Sequence, residues 1–138
     1  MKVYIFKSPK PDTSNLLRDD NGKPLPVNNT NFSISHSGDY WAIAISDRPV
    51  GIDLQSKTKQ GKPRHMSNRI LQKVLSPGEY PIRNDYLHNF VIKEAYSKLT
   101  GDGLSIGFSK LDANKLIKNY HPYHQETEDY ICYAFEQQ

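Results

Sequence analysis

VGIDLQ, residues 50–55, places an aspartate inside an apolar run with the character of a β-strand. A short apolar run of this kind reads as a strand with both faces buried. An ionised carboxylate is almost never left alone in that setting, because removing it from water is costly unless something compensates the charge. Asp53 therefore needs a partner: hydrogen-bond donors at a strand end or turn, or a cation.

Working outward, FSISHS (32–37) alternates with period two and breaks at Gly38, and WAIAIS (41–46) is a further strand. DRP (47–49) reads as a turn, so residues 41–55 are expected to form a β-hairpin. Val3 to Phe6 is a short strand closed by SPKP, whose two prolines forbid continuation. Residues 12–31, rich in Asn, Asp and Pro, are an irregular connection, and KTKQGKPRH (57–65) is a basic loop without apolar residues. A helix is expected over 66–75, from Ile70, Leu71, Val74 and Leu75, stopped by SPGEYP. The strongest helical pattern runs over 85–100. Leu87, Phe90, Val91, Ala95 and Leu99 form its stripe, and GDG offers a glycine C-cap. IGFSKL (106–111) and DYICYAF (129–135) are strand-like. The expected class is α+β, a small antiparallel sheet packed against two main helices, with residues 1–138 as one domain.

The 138 residues suffice for one modest core, and the net charge of +3 is a mild basic bias that favours phosphates or acidic partners. That bias is too weak to argue for nucleic acid, and aromatic and basic residues are not interleaved. Cys132 is the one cysteine, which excludes an intramolecular disulfide and argues against a thiolate zinc site. The first apolar run is four residues long, too short for a signal peptide or membrane span, and a cytoplasmic protein is expected.

Glu94 lies four residues after Phe90, three after Val91 and four before Lys98, and side chains at those offsets share a helix face. It belongs at the border of the apolar stripe, partly buried, with Lys93 pointing elsewhere. Taken alone, Glu94 and Lys98 read as a surface ion pair. Asp53 changes that account. Two carboxylates converging across a sheet–helix interface repel unless a cation lies between them, and Mg²⁺ suits one or two carboxylates plus substrate phosphates. Ser35 and His36 end a strand at a turn, placed to meet a ligand phosphate. As a Ser–His catalytic pair they are poorly disposed, because neighbours on a strand point to opposite faces. His121 and His124 have metal-like spacing, but no Cys, Asp or Glu cluster joins them, and HPYH reads as loop.

In order, GKP (22–24), FSISHSG (32–38), VGIDLQ (50–55) and FVIKEAYSKLTGDGL (90–104) resemble the signature of the 4′-phosphopantetheinyl transferases, particularly the surfactin-synthetase-activating type. Asp53 and Glu94 lie roughly forty residues apart, as in the family, and RILQKVLSPGEY (69–80) resembles the helix between them. The resemblance covers about residues 22–136. It implies the fold of that family and transfer of 4′-phosphopantetheine from coenzyme A to a serine of an apo acyl or peptidyl carrier protein, leaving 3′,5′-ADP. Carried over, Asp53 and Glu94 would hold Mg²⁺ on the coenzyme A diphosphate. Lys23, Ser35 and His36 would contact the nucleotide and its phosphates. Lys98 would steady the diphosphate, and Glu94 is also a candidate base for the carrier serine.

Two departures stand out. Larger members carry a second acid two residues after the aspartate, where this chain has Gln55, which can offer a carbonyl oxygen to the metal. They also have two similar halves, whereas here only about twenty residues precede GKP. Lys7, Lys10 or Arg18, or a neighbouring subunit in a homo-oligomer, would then grip the 3′-phosphate of coenzyme A. The basic loop, with Arg69 and Lys73, reads either as solvated loop or as a surface for an acidic carrier protein. The alternative function is a non-catalytic relative that binds coenzyme A or a carrier protein without transfer.

Overall fold

The protein is described by a computed structural model covering residues 1–7, 9–101 and 107–138. In chain order the elements are β1 (Lys2–Lys7), β2 (Asn31–Ser37), β3 (Tyr40–Ser46), β4 (Val50–Ser56), β5 (Thr58–Lys59), β6 (Lys62–Pro63), α1 (Asn68–Val74), α2 (Tyr86–Thr100), α3 (Ala113–Tyr120), β7 (Tyr123–Glu126) and β8 (Tyr130–Glu136). Two three-stranded antiparallel sheets, ordered β1-β3-β2 and β4-β8-β7, are accompanied by a separate small β5-β6 pair. With three helices among the described residues, this is an α+β fold. None of those helices is long and apolar enough to cross a membrane.

The expected hairpin over 41–55 is not formed. Both edges of β3 are occupied, since Ile45 faces Lys2 of β1 on one side and Phe32 of β2 on the other. The hairpin is β2–β3, turned at Gly38, whose φ of +59° falls in the left-handed region. β4 leaves for the second sheet and pairs with β8, Asp53 opposite Tyr133. The double burial expected of β4 holds, with Val50 to Leu54 all buried. Val50, Ile52 and Leu54 pack with Ala42 and Ala44 of β3, while Ile131, Tyr133 and Phe135 of β8 turn to α2.

The two sheets meet along β2 and β4 through side chains rather than a backbone ladder. Ser33, Ser35 and Ser37 recur with period two on β2, and their hydroxyls accept from the Ile52, Leu54 and Ser56 amides at 3.0, 3.0 and 2.8 Å. An edge strand normally leaves every second N–H unpaired, and these hydroxyls satisfy three of them on β4. On β2 it is thus Ser33 and Ser35 that are buried, while His36 is exposed.

α2 starts where the Asp85 carboxylate accepts from the Leu87 amide and ends at Gly101, φ +77°. Its descent onto β4 depends on Gly51, where a Cβ would lie 2.2 Å from both the Ala95 carbonyl oxygen and the Leu99 nitrogen. Lys93 does not point to solvent. It is fully buried, donating to Glu79 at 2.6 Å and to the Phe108 carbonyl at 3.0 Å, and Asn89 donates to Glu79 at 2.7 Å. This network ties the SPGEY turn to the helix.

α3 was not expected. Its eight residues follow the N-cap Asp112, which accepts from the Asn114 and Lys115 amides, and Ala113, Leu116 and Ile117 give it one apolar face. IGFSKL is not a strand where it is described: Phe108–Lys110 is a 3-10 turn whose Phe108 ring meets Phe90 edge-on, centroids 6.2 Å apart. The remainder of that expectation, and Asp102 and Gly103 of the GDG stretch, lie outside the described residues. HPYH is also not a simple loop, since His121 caps α3 and Tyr123 opens β7.

Gly51→Ala is expected to lower unfolding stability by about 3 kcal/mol, the upper range for overpacking, because backbone rather than a flexible side chain must yield. Urea denaturation checks this, and a change within about 0.5 kcal/mol would show that the approach of α2 tolerates a methyl group.

Candidate active site

Asp53 lies on the side of β4 that also carries Gly51, so it faces α2 where the backbones approach most closely. It is 3% exposed. One oxygen, Oδ1, receives the Ser35 hydroxyl at 3.2 Å and the Lys98 ammonium at 3.4 Å; the other receives the Gln55 amide at 2.9 Å. Burial pushes its carboxyl above the usual carboxylate range, with Lys98, Gln55 and Ser35 pulling the other way.

Glu94 is half-buried at the edge of the helical stripe, as the spacing required. Burial first and the Asp53 charge second push its carboxyl up to about 7, against the pull of Lys98. Lys98 does not simply close a surface pair with Glu94. It reaches across the interface to Asp53 and to the Ile34 carbonyl at 3.3 Å, and its side chain remains 32% exposed. The site is therefore two desolvated carboxylates that repel one another, with one loosely held ammonium beside them.

The other expected residues divide. Ser35 belongs to the group, donating to Asp53 while its oxygen accepts from the Leu54 amide. His36 points to the opposite face of β2 and stacks on Trp41, centroids 4.4 Å apart. Lys23 donates to the carbonyls of Val50 and Lys98, tying the GKP turn to β4 and the end of α2. Desolvation lowers its ammonium to about 8. Gln55 turns its amide nitrogen to Asp53 and its carbonyl oxygen to Arg64, which donates at 2.6 Å. Its carbonyl is thus turned toward the basic hairpin. Beside Lys98 lies a pocket of about 130 Å³ whose lining includes Arg18, Asn21, Lys23, Ser33 and Lys98. Arg18, one of three alternatives for the 3′-phosphate, borders it while donating to the Gly22 carbonyl at 2.9 Å. Lys7 is elsewhere, over the Tyr40 ring.

Comparison with known proteins bears on this geometry. Residues 49–137 match the model of the 4′-phosphopantetheinyl transferase superfamily. The chain belongs to that superfamily. Among curated relatives it is 36% identical over 104 residues to the 4′-phosphopantetheinyl transferase psf-1 of Bacillus pumilus, covering 67% of this chain and 42% of the relative. It is 34% identical over 96 residues to a 4′-phosphopantetheinyl transferase of Bacillus subtilis, covering 62% and 40%. It is 28% identical over 109 residues to the human L-aminoadipate-semialdehyde dehydrogenase-phosphopantetheinyl transferase, covering 70% and 35%. In each case the match spans less than half of the relative. The matched region of the superfamily model takes in Asp53, Glu94 and Lys98.

Two raised carboxylates sharing a desolvated interface fit a divalent cation, whose binding competes with protonation. Glu94 holds its proton more tightly folded than unfolded, so stability declines as pH rises from its ordinary 4.5 through about 7. The matching expectation is that Mg²⁺ affinity weakens about tenfold per pH unit below 7 and levels off above it. The Mg²⁺-induced rise in melting temperature measures this. Glu94→Gln should flatten the profile, and an unchanged profile in that variant would remove Glu94 from the cation site.

Proposed function

We propose that this protein transfers 4′-phosphopantetheine from coenzyme A to a serine hydroxyl of an apo acyl or peptidyl carrier protein, with 3′,5′-ADP as the second product. The observation that carries the reading is the pair of buried Asp53 and half-buried Glu94 with Lys98 beside it, within the region matching the superfamily model. Asp53 and Glu94 would hold Mg²⁺, which when bound supplies charge neutralisation to a diphosphate. Gln55 can join through its carbonyl oxygen only by giving up Arg64.

Phosphoryl transfer needs mostly positioning and charge stabilisation, and this chain's residues are suited to both. The carrier serine oxygen forms a bond to the phosphorus bearing pantetheine, and the bond from that phosphorus to the bridging diphosphate oxygen breaks. The bridging oxygen leaves with 3′,5′-ADP. Lys98, partly exposed and only 3.4 Å from Asp53, can swing its ammonium to the charge developing there. Glu94 is also the candidate base for the serine proton, as a carboxylate facing the site. Arg18, Lys23 and Lys98 around one pocket favour the phosphates of the nucleotide. Ser35 keeps Asp53 oriented, while exposed His36 is left for a base or sugar outside the pocket. The β5–β6 hairpin, with Lys57, Lys59, Lys62 and Arg64, offers a basic surface to an acidic carrier protein.

A second reading has an observation of its own. Gln55 gives Asp53 a hydrogen-bond donor where larger family members have an acid, which favours a relative that binds coenzyme A or a carrier protein without transfer.

Intact mass spectrometry separates the two. A panel of apo carrier proteins incubated with this protein, coenzyme A and Mg²⁺ should show a phosphopantetheine-sized gain that vanishes with chelator. Asp53→Ala and Glu94→Ala should each slow it at least about a hundredfold while the circular dichroism stays native. Unchanged rates in either variant would overturn the assignment of the carboxylates. No gain on any carrier, with coenzyme A still bound, would establish the second reading.

A further inference from the structure

His88, His124 and Glu126 converge away from Asp53, under the first turn of α2. His88 belongs to that turn and is 1% exposed. His124 and Glu126 are two residues apart on β7 and so share a face. Each of the three offers a ligating atom, and these atoms all lie within 4.8 Å of one another. Two further observations point to an absent ligand. His124 Nε2 is buried without a hydrogen-bond partner among the described residues, an arrangement that ordinarily calls for an ion or a water. The opposite nitrogen of His88, Nδ1, is hydrogen-bonded to the Tyr133 hydroxyl at 2.9 Å, which fixes the ring with Nε2 directed to Glu126. Metal-binding histidines are usually oriented through their second nitrogen in this way.

We propose that His88, His124 and Glu126 form a binding site for a first-row transition-metal dication, Zn²⁺ foremost, separate from the Asp53–Glu94 pair. Two imidazole nitrogens and a carboxylate are a known zinc donor set that leaves a fourth position for water, and imidazole selects such ions over Mg²⁺. A tetrahedral ion with bonds of about 2.0–2.1 Å spaces its ligand atoms by roughly 3.3 Å. His88 Nε2 and Glu126 Oε2 are already 3.3 Å apart, so mainly His124 must close in. Lys57 opposes the ion, since its ammonium pairs with Glu126 Oε2 at 2.7 Å, and Arg83 adds positive charge near both imidazoles. Those cations set an affinity below that of a dedicated structural zinc centre. They also make Lys57 a sensitive probe, because a purely structural Lys57–Glu126 pair would have no bearing on metal binding. An ion held here would join the start of α2 to β7. His124 faces Tyr133 across the ladder, and Tyr133 faces Asp53, so one strand lies between the two sites.

The test uses the full chain with excess Mg²⁺ present to occupy Asp53–Glu94, and titrates Co²⁺ as a spectroscopic stand-in for Zn²⁺. Expected are intense visible bands of a tetrahedral ion saturating at one equivalent, abolished by one equivalent of Zn²⁺. His124→Gln and Glu126→Gln should each weaken binding at least tenfold, and Lys57→Met should tighten it several-fold. Glu126 is partly exposed, so its variant keeps the test valid should the histidine change disturb folding. Absence of tetrahedral bands, bands unaffected by either ligand variant, or bands lost in Asp53→Asn would overturn the proposal. None of these outcomes depends on transferase activity.

Discussion

The close approach of α2 to β4 at Gly51 is the constraint on which the rest of the site depends. A side chain there would overlap the Ala95 carbonyl and the Leu99 backbone, so a helix seated this low requires glycine. Glu94 and Lys98 are spaced by one helical turn and flank the contact, while Asp53 is the next residue on the same face of β4. The convergence of the three is therefore set by backbone packing and owes little to rotamer choice. On the other edge of β4, the serine hydroxyls of β2 hold the Ile52 and Leu54 amides at 3.0 Å, so the strand carrying Asp53 is fixed from both sides. Preorganisation of this kind lets a charged site persist without relaxing around its own repulsion.

Lys93 and Glu94 are neighbours in sequence and opposites in physics. Lys93 is fully buried, yet its ammonium is met by the Glu79 carboxylate and by main-chain carbonyls. Glu79 in turn is held below the usual carboxylate range, with Lys93, Ser76 and Asn89 outweighing its burial. A buried pair satisfied to this degree is expensive to break on one side and serves chiefly to fix the packing. Glu94 is less buried, yet its carboxyl is raised, first by its burial and second by the Asp53 charge. The same helix thus carries one charge met by its partners and one only partly offset by Lys98, and the latter is half-exposed. Residual electrostatic strain at an open interface is the mark of a binding group.

What the sequence revealed follows how local each signal is. Period-two alternation and helical spacing located β2, β3, β4, β8 and α2, and the i−3, i−4 and i+4 neighbours of Glu94 placed it correctly at the edge of the stripe. Strand partners were not legible. Nothing local in WAIAIS states that both its edges are filled by earlier strands, so chain proximity to VGIDLQ suggested a hairpin that does not form. α3 was missed because eight residues with three apolar positions give a weak periodic signal without the core they cover. The spacing places Lys93 only off the Glu94 face, because its buried partner Glu79 lies in a turn fourteen residues away. His124 was set aside for lack of acidic neighbours, although Glu126 follows two residues later and His88 arrives from another element. In each case the deciding contact is long-range.

Gln55 joins these threads. Its amide can satisfy an acceptor on one side and a donor on the other, and it does both: nitrogen to Asp53, oxygen to Arg64. A carboxylate at this position would add a third acid to a group whose two carboxyls are already raised by burial. The amide instead lowers the repulsion around Asp53 and links it to the basic β5–β6 hairpin. Rotating the amide so that its oxygen meets a cation would present its NH₂ to the Arg64 guanidinium, two donors facing one another. Whether the Gln55 carbonyl is free to meet a cation is therefore conditional on Arg64. A ligand or partner with enough negative charge to draw Arg64 away would free the Gln55 carbonyl. In this chain Gln55 thus couples Asp53 directly to the basic β5–β6 hairpin.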